Sequence, residues 1–391
     1  MGEFVTPHAP ITNGVEGQGP TDWRYLLHGF DTVDLGVYVA WQHEDFDEFM
    51  GRLAVQKMLA GQHDGSLLWK DGPLESCLVC ASGKGANYPF HLQLHDMHLW
   101  LARQQKPDSL PNVYVSPSAQ LLKLAGVCAA VENVRGVIEQ LGGQVLDVQV
   151  SRADLHADFA IPGGLSFDFI RHHLVGKPRH SQAITESNEL ETFYLGRKKS
   201  PVQLRIYNKS RHISKHLELR WLFDLYNTEH VFDVWRIEYQ LRRDWLRERL
   251  INSVDDLIQH AHAIWHHLTA EWMSLRLHDD SNTSRRSVHP FWQHVHNVCE
   301  DFGPKASLGR LSKPPVDLPA DWYVSRMRGS LLRYAVRRGV PDLFDAVERL
   351  SKELLSSWSP GVWLDEFERM RIELGLAGLT HAEEGGEDVP F

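Results

Sequence analysis

The stretch Thr192–Lys209, TFYLGRKKSPVQLRIYNK, decides how this chain is read. Two short runs of β-forming residues, Thr192–Leu195 and Val202–Lys209, flank a basic turn that carries Gly196 and Pro201. In the second run Val202, Leu204 and Ile206 alternate with Gln203, Arg205, Tyr207 and Lys209. Strand side chains have a period of two, so one face is apolar and the other sets a tyrosine between two cations. Between Arg197 and Lys215 there are seven Lys or Arg and no Asp or Glu. A tyrosine in such a run suits a phosphate ligand. Taken alone, the same residues also describe a half-buried edge strand with solvated cations.

Two further stretches share the pattern. In Ser151–Phe159, Ala153, Leu155, Ala157 and Phe159 alternate with Arg152, Asp154, His156 and Asp158. In Val231–Arg242, Trp235, Ile237, Tyr239 and Leu241 alternate with Arg236, Glu238, Gln240 and Arg242. If the three strands share a sheet with their apolar faces inward, the polar faces converge. Crowded carboxylates repel one another unless a cation sits among them. Hard oxygen ligands suit Mg²⁺ or Mn²⁺. A metal, a tyrosine and cations together make a site for attack on a phosphodiester. On this reading removal of one carboxylate relieves repulsion and stabilises the fold.

Four motifs occur in order: Arg152, Asp154 and Asp158 as R-x-D-x-x-x-D; Tyr194, Leu195, Gly196 and Ser200 as Y-L-G-x-x-x-S; Arg205 to Lys209 as R-I-Y-N-K; and Trp235 to Glu238 as W-R-I-E. In these the chain resembles the replication initiation factor family, the rolling-circle plasmid initiators and related conjugative-element relaxases, over roughly residues 22–250. The resemblance implies an HUH-like nicking domain with Tyr207 as the strand-cleaving nucleophile. It implies Asp154, Asp158 and Glu238 as metal ligands, with Arg205 and Lys209 holding phosphates on the same strand face. Arg152, Arg197, Lys198, Lys199 and Arg211 are the further DNA-binding candidates, and His156 or Asp31 is a candidate to join the metal. The implied partners are origin DNA, single-stranded or hairpin, a helicase, and a second copy in a homodimer. Two rival readings stay open: a DNA-binding module without catalysis, and a metal nuclease that uses water.

A chain of 391 residues holds two or three domains with ample core. Its 42% hydrophobic and 24% charged content is that of an ordinary globular protein. The net charge of -10 argues against an indiscriminate nucleic-acid binder but not against a local basic groove. No apolar run approaches the ~18 residues needed to span a bilayer, and no signal pattern opens the chain, so the expectation is a cytoplasmic protein without membrane contact. Cys77 and Cys80 are three apart in an apolar run, without a second pair, and read as structural. His91 and His95 can share a strand face, with His98 apart from them.

The expected organisation is a mobile tail over 1–21 and a catalytic α+β domain over 22–250. An all-helical region over 251–378 and an acidic tail over 379–391 follow. The catalytic domain is an antiparallel sheet with helices on its apolar face and an open basic cleft for single-stranded DNA on the other. Ser118–Leu141 reads as helix broken near Gly126, His180–Asn188 as a loop, and His212–Thr228 as a helical excursion. His260-Ala261-His262 and His294-Val295-His296 imitate a histidine metal motif, but on helices residues two apart do not face each other, so neither is read as a ligand pair.

Overall fold

The computed structural model describes residues 19–226, 233–309 and 320–357, with 363, 364 and 367. The acidic tail and most of the N-terminal tail lie outside these residues. The strands are β1 (Arg24–Trp41), β2 (Ser66–Leu68), β3 (Leu78–Cys80), β4 (Phe90–Gln93), β5 (Met97–Leu101), β6 (Val113–Pro117), β7 (Gly143–Ala160), β8 (Leu174–Gly176), β9 (Ser181–Glu186), β10 (Glu189–Leu195), β11 (Val202–Asn208), β12 (Val234–Arg242) and β13 (Met273–Leu275). Eleven of them form one antiparallel sheet in the order β2-β3-β4-β5-β6-β1-β7-β12-β11-β10-β9. The long strands β1 and β7 are its spine. Their register shifts between Phe30 and Thr32, leaving Asp31 as an extra residue in a bulge.

The helices are α1 (Phe46–Gln62), α2 (Ala119–Leu124), α3 (Val127–Gln140), α4 (Phe167–His173), α5 (Lys209–Lys215), α6 (Trp221–Leu225), α7 (Arg243–Arg247), α8 (Val254–His267), α9 (Pro290–Asn297), α10 (Ala320–Arg338) and α11 (Leu343–Ser357). The apolar residues of β7, β11 and β12 are buried in one core with Phe49 and Leu53 of α1, Val134 and Ile138 of α3, Leu257, Ile264 and Trp265 of α8, and Phe291 and Trp292 of α9. The parity read from the sequence therefore holds in all three strands. Helix α2 ends and α3 begins at Gly126, whose φ of 86° is left-handed.

Three expectations need correction. His180–Asn188 contains a strand, β9, because the exposed edge of β10 offers its residues a ladder of backbone partners. The region read as all-helical contains β13, which pairs with β8. Helical segments also stand over the polar face. Ile213 of α5, Leu222 of α6 and Tyr226 pack there with Val234, which shares the parity of Arg236 and Glu238. The first compact unit ends at Arg310, so residue 250 falls inside it; residues 311–391 form a second unit, where α10 and α11 pack on each other.

Candidate active site

Register sets the site. Glu238 on β12 stands across from Arg205 on β11 and from His156 on β7, and Arg236 stands across from Tyr207 and Asp158. Tyr207 and Glu238 are thus on one face, where the phenol donates to Glu238 Oε2 at 3.1 Å. Arg205 donates to Asp154 Oδ2 at 3.2 Å and also to Glu238 Oε1. Lys209 opens α5, and its Nζ lies 3.4 Å from the Tyr207 oxygen. The Asn208 side chain fixes that helix start by accepting from the Arg211 N–H at 2.9 Å. Five candidates, Asp154, Arg205, Tyr207, Lys209 and Glu238, therefore meet.

Asp158 has a different environment. It accepts from Arg236 Nε and Nη2 at 2.7 Å each, from His156 Nδ1 at 3.1 Å and from the Tyr226 hydroxyl at 2.8 Å. Two carboxylate oxygens offer about four acceptor positions, and all are used. Arg236 also pairs with Asp31, which the β1 bulge turns onto this face. Asp154 accepts from Arg152 as well as Arg205. In this arrangement arginines pair with each of these carboxylates. Among the described residues, the one group of three or more His, Cys, Asp or Glu whose ligand atoms converge closely enough for a metal is His262, Cys299 and Glu300, away from the tyrosine.

The electrostatics follow from burial. Desolvation pushes the Tyr207 phenol above its ordinary value. Burial, aided by Arg236, brings Lys209 down to about 8. Burial opposes ionisation of Asp158, yet Arg236 and His156 hold it well below the usual carboxylate range. Burial raises Asp154 despite its two arginines. His156 is brought down to about 3 by burial and then by Arg236 and Lys123, so the ring is neutral at physiological pH. With its Nδ1–H donated to Asp158, its Nε2 carries a bare lone pair. That atom is buried and has no hydrogen-bond partner among the described residues.

Lys123 of α2 was not anticipated. It donates to the His28 carbonyl at 3.1 Å, and burial followed by Arg236 brings its ammonium down to about 7. Gly29 beside it has a φ of 135°, in the region that favours glycine, and a Cβ there would lie 2.8 Å from the Lys123 Nζ and push it aside. Tyr226 was missed too. Lys123 sits on α2 and Tyr226 just after α6, where strand parity cannot place them, and no local sequence signal marks them.

At the tyrosine lies a pocket of about 260 Å³. Asp31, Tyr194, Arg205, Tyr207, Lys209 and Glu238 line it, and Leu219, Trp221 and Leu222 wall it. The other basic candidates are dispersed. Arg152 is engaged by Asp154, and Arg211 by Glu189. Arg197, Lys198 and Lys199 are exposed at the tip of the β10–β11 hairpin. At about 3.3 Å per residue that tip is roughly 20 Å along the strand from Tyr207.

No protein-family model matches the chain, and no curated protein matches it. Among solved structures it is similar to a rolling circle replication initiator protein from Geobacillus stearothermophilus, at 15% identity and a TM-score of 0.40, over 73% of this chain and 99% of that one. No helix among the described residues is long and apolar enough to cross a membrane.

Proposed function

We propose that this protein nicks and rejoins DNA at a replication or transfer origin through a 5′-phosphotyrosine on Tyr207. The observation that carries this reading is the Tyr207 phenol in reach of both Glu238 and Lys209, with Arg205 beside it in the same pocket. A free phenol is a weak nucleophile near neutral pH and needs a base. Lys209, neutral above about pH 8, takes the proton. The phenolate attacks phosphorus, the bond to the 3′ oxygen breaks, and the Lys209 ammonium protonates that oxygen. Arg205 leaves its carboxylates to clamp the phosphate by charge-assisted hydrogen bonds. Reversal of the same steps rejoins the strand.

The family resemblance offers Mg²⁺ or Mn²⁺ on Asp154, Asp158 and Glu238, where such an ion would neutralise charge on the phosphoryl oxygens. The residues as placed do not fit it: Arg152, Arg205 and Arg236 occupy these carboxylates, and among the described residues their ligand atoms do not converge as those of His262, Cys299 and Glu300 do. The steps above are therefore carried by the side chains alone.

A path for the strand is supported by a second group of residues. Lys84 lies over the rings of Trp100 and Tyr114, 4.3 and 4.1 Å from their centroids. Beside them a cavity of about 440 Å³ is lined by Arg152, Arg242 and Arg243. Cations interleaved with aromatic faces suit a single strand, which stacks its bases and threads its phosphates. A helicase partner and a homodimer follow from the family resemblance alone.

The test is covalent capture. Wild-type protein incubated with a single-stranded oligonucleotide carrying the origin should give a shifted band on a denaturing gel, and Tyr207→Phe should give none while still binding DNA. An adduct that persists in Tyr207→Phe assigns the nucleophile elsewhere, with Tyr194 the next candidate in the same pocket. Cleavage without any adduct would instead favour a nuclease that uses water.

A further inference from the structure

Away from the tyrosine, helix α8 runs alongside the 3₁₀ turn Val298–Phe302 that follows α9. His262 of α8, Cys299 and Glu300 meet there, with one potential ligand atom from each lying within 4.8 Å of the others. His262 is buried, and neither ring nitrogen has a hydrogen-bond partner among the described residues. Its nearest carboxylate oxygen, Glu300 Oε1, is 3.8 Å away, beyond hydrogen-bonding distance. Burying an imidazole with both nitrogens unmet is costly unless something else satisfies them. Two neighbouring histidines have partners. His260 Nδ1 bonds the Asp256 carbonyl at 2.8 Å, and His296 Nδ1 bonds Thr269 Oγ1 at 2.9 Å.

We propose that His262, Cys299 and Glu300 form a metal site for a zinc-class ion, separate from the tyrosine pocket. Thiolate, imidazole and carboxylate are the donors zinc takes, and a thiolate disfavours Mg²⁺ or Ca²⁺. Three protein ligands leave a fourth position for water. His262 and His266 line a cavity of about 870 Å³, which supplies the entry path. Lys305, whose Nζ is 3.0 Å from Glu300 Oε1, competes for the carboxylate. The site ties α8 to the turn after α9. The paired-histidine spelling at 260–262 and 294–296 gave no hint of this, because the partners of His262 are a cysteine and a glutamate 37 and 38 residues further on.

The full chain, reduced and stripped of metal, would be titrated with Co²⁺ and then Zn²⁺. Thiolate coordination should give a near-ultraviolet charge-transfer band that saturates at one ion per chain and vanishes when Zn²⁺ displaces Co²⁺. Cys299→Ser should abolish the band. Glu300→Gln, at an exposed position that leaves the fold intact, should weaken binding by more than about tenfold, since even outer-shell partners of a metal carry that much. Lys305→Ala should tighten it. Absence of the band in wild type, or unchanged affinity in Glu300→Gln, overturns the proposal. So does a band that survives Cys299→Ser, which would belong to the exposed thiol of Cys128.

Discussion

Tyr207 contacts two groups that could take its proton, and they differ in what pH does to them. Glu238 is tied to Arg205, whereas Lys209 titrates near pH 8. Adduct formation should therefore rise through about pH 8, and Lys209→Met should flatten that rise; an unchanged profile would shift the base to Glu238. The same lowered value makes a stability prediction. Between about 8 and the ordinary lysine value of 10.5 the unfolded chain binds a proton that the folded chain has lost. Stability contributed by this group should accordingly increase with pH across that window. Asp158 gives the opposite of what crowding alone suggests. Its removal leaves Arg236, which is wholly buried, with Asp31 as its one remaining ion-pair partner among the described residues, so Asp158→Asn should destabilise by about 3 kcal/mol in urea denaturation. A neutral or stabilising change would restore the view that the carboxylates merely repel.

The β10–β11 hairpin and the start of α5 set how Tyr207 and Lys209 meet. Gly196 ends β10 with φ of 90°, and a Cβ there would lie 2.8 Å from the Val202 carbonyl oxygen. Gly196→Ala should cost about 1–2 kcal/mol from the left-handed backbone alone, with more from the contact, and a melting curve would show it. Helix α5 has seven residues, too few to hold itself, so the Asn208 cap matters. Asn208→Ala should cost about 1 kcal/mol. It should slow adduct formation more than it weakens DNA binding, because Lys209 is the first residue it releases. Parity placed Arg205 and Tyr207 on one face of β11, but Lys209, read as the end of that strand, instead opens α5 because the Asn208 side chain caps a helix there. His98 shows where it stopped: the β4–β5 hairpin brings His98 Nδ1 within 3.0 Å of His91 Nε2, a cross-strand meeting that alternation along one strand does not display.

In the first compact unit the apolar face of the sheet is completed by residues beyond the motif region. Leu257, Ile264, Trp265 and Phe291 are buried in the core that β7, β11 and β12 share. At about 1.5–3 kcal/mol each, these four side chains rival the roughly 5–15 kcal/mol that holds a whole domain folded. A fragment ending at Arg310 should fold cooperatively, and one ending at Leu250 should not, as circular dichroism and limited proteolysis would report. A stable fragment ending at Leu250 would show that α8 and α9 are dispensable.

The sequence by itself determined the three strands and their faces, and with them the meeting of Asp154, Arg205, Tyr207 and Glu238. Alternation is a local property, and one buried face enforces it residue by residue. It also supplied the break at Gly126. Tertiary structure alone decided which cation answers which carboxylate. Arg236 takes Asp158 rather than Glu238 because antiparallel register puts Arg236 and Asp158 directly opposite, and register is fixed by the whole sheet. The bulge that aims Asp31, the approach of Lys123 from α2, and the meeting of His262 with Cys299 and Glu300 are long-range in the same way. Each joins segments whose separation along the chain leaves no periodic trace, and each exists only once the core has packed.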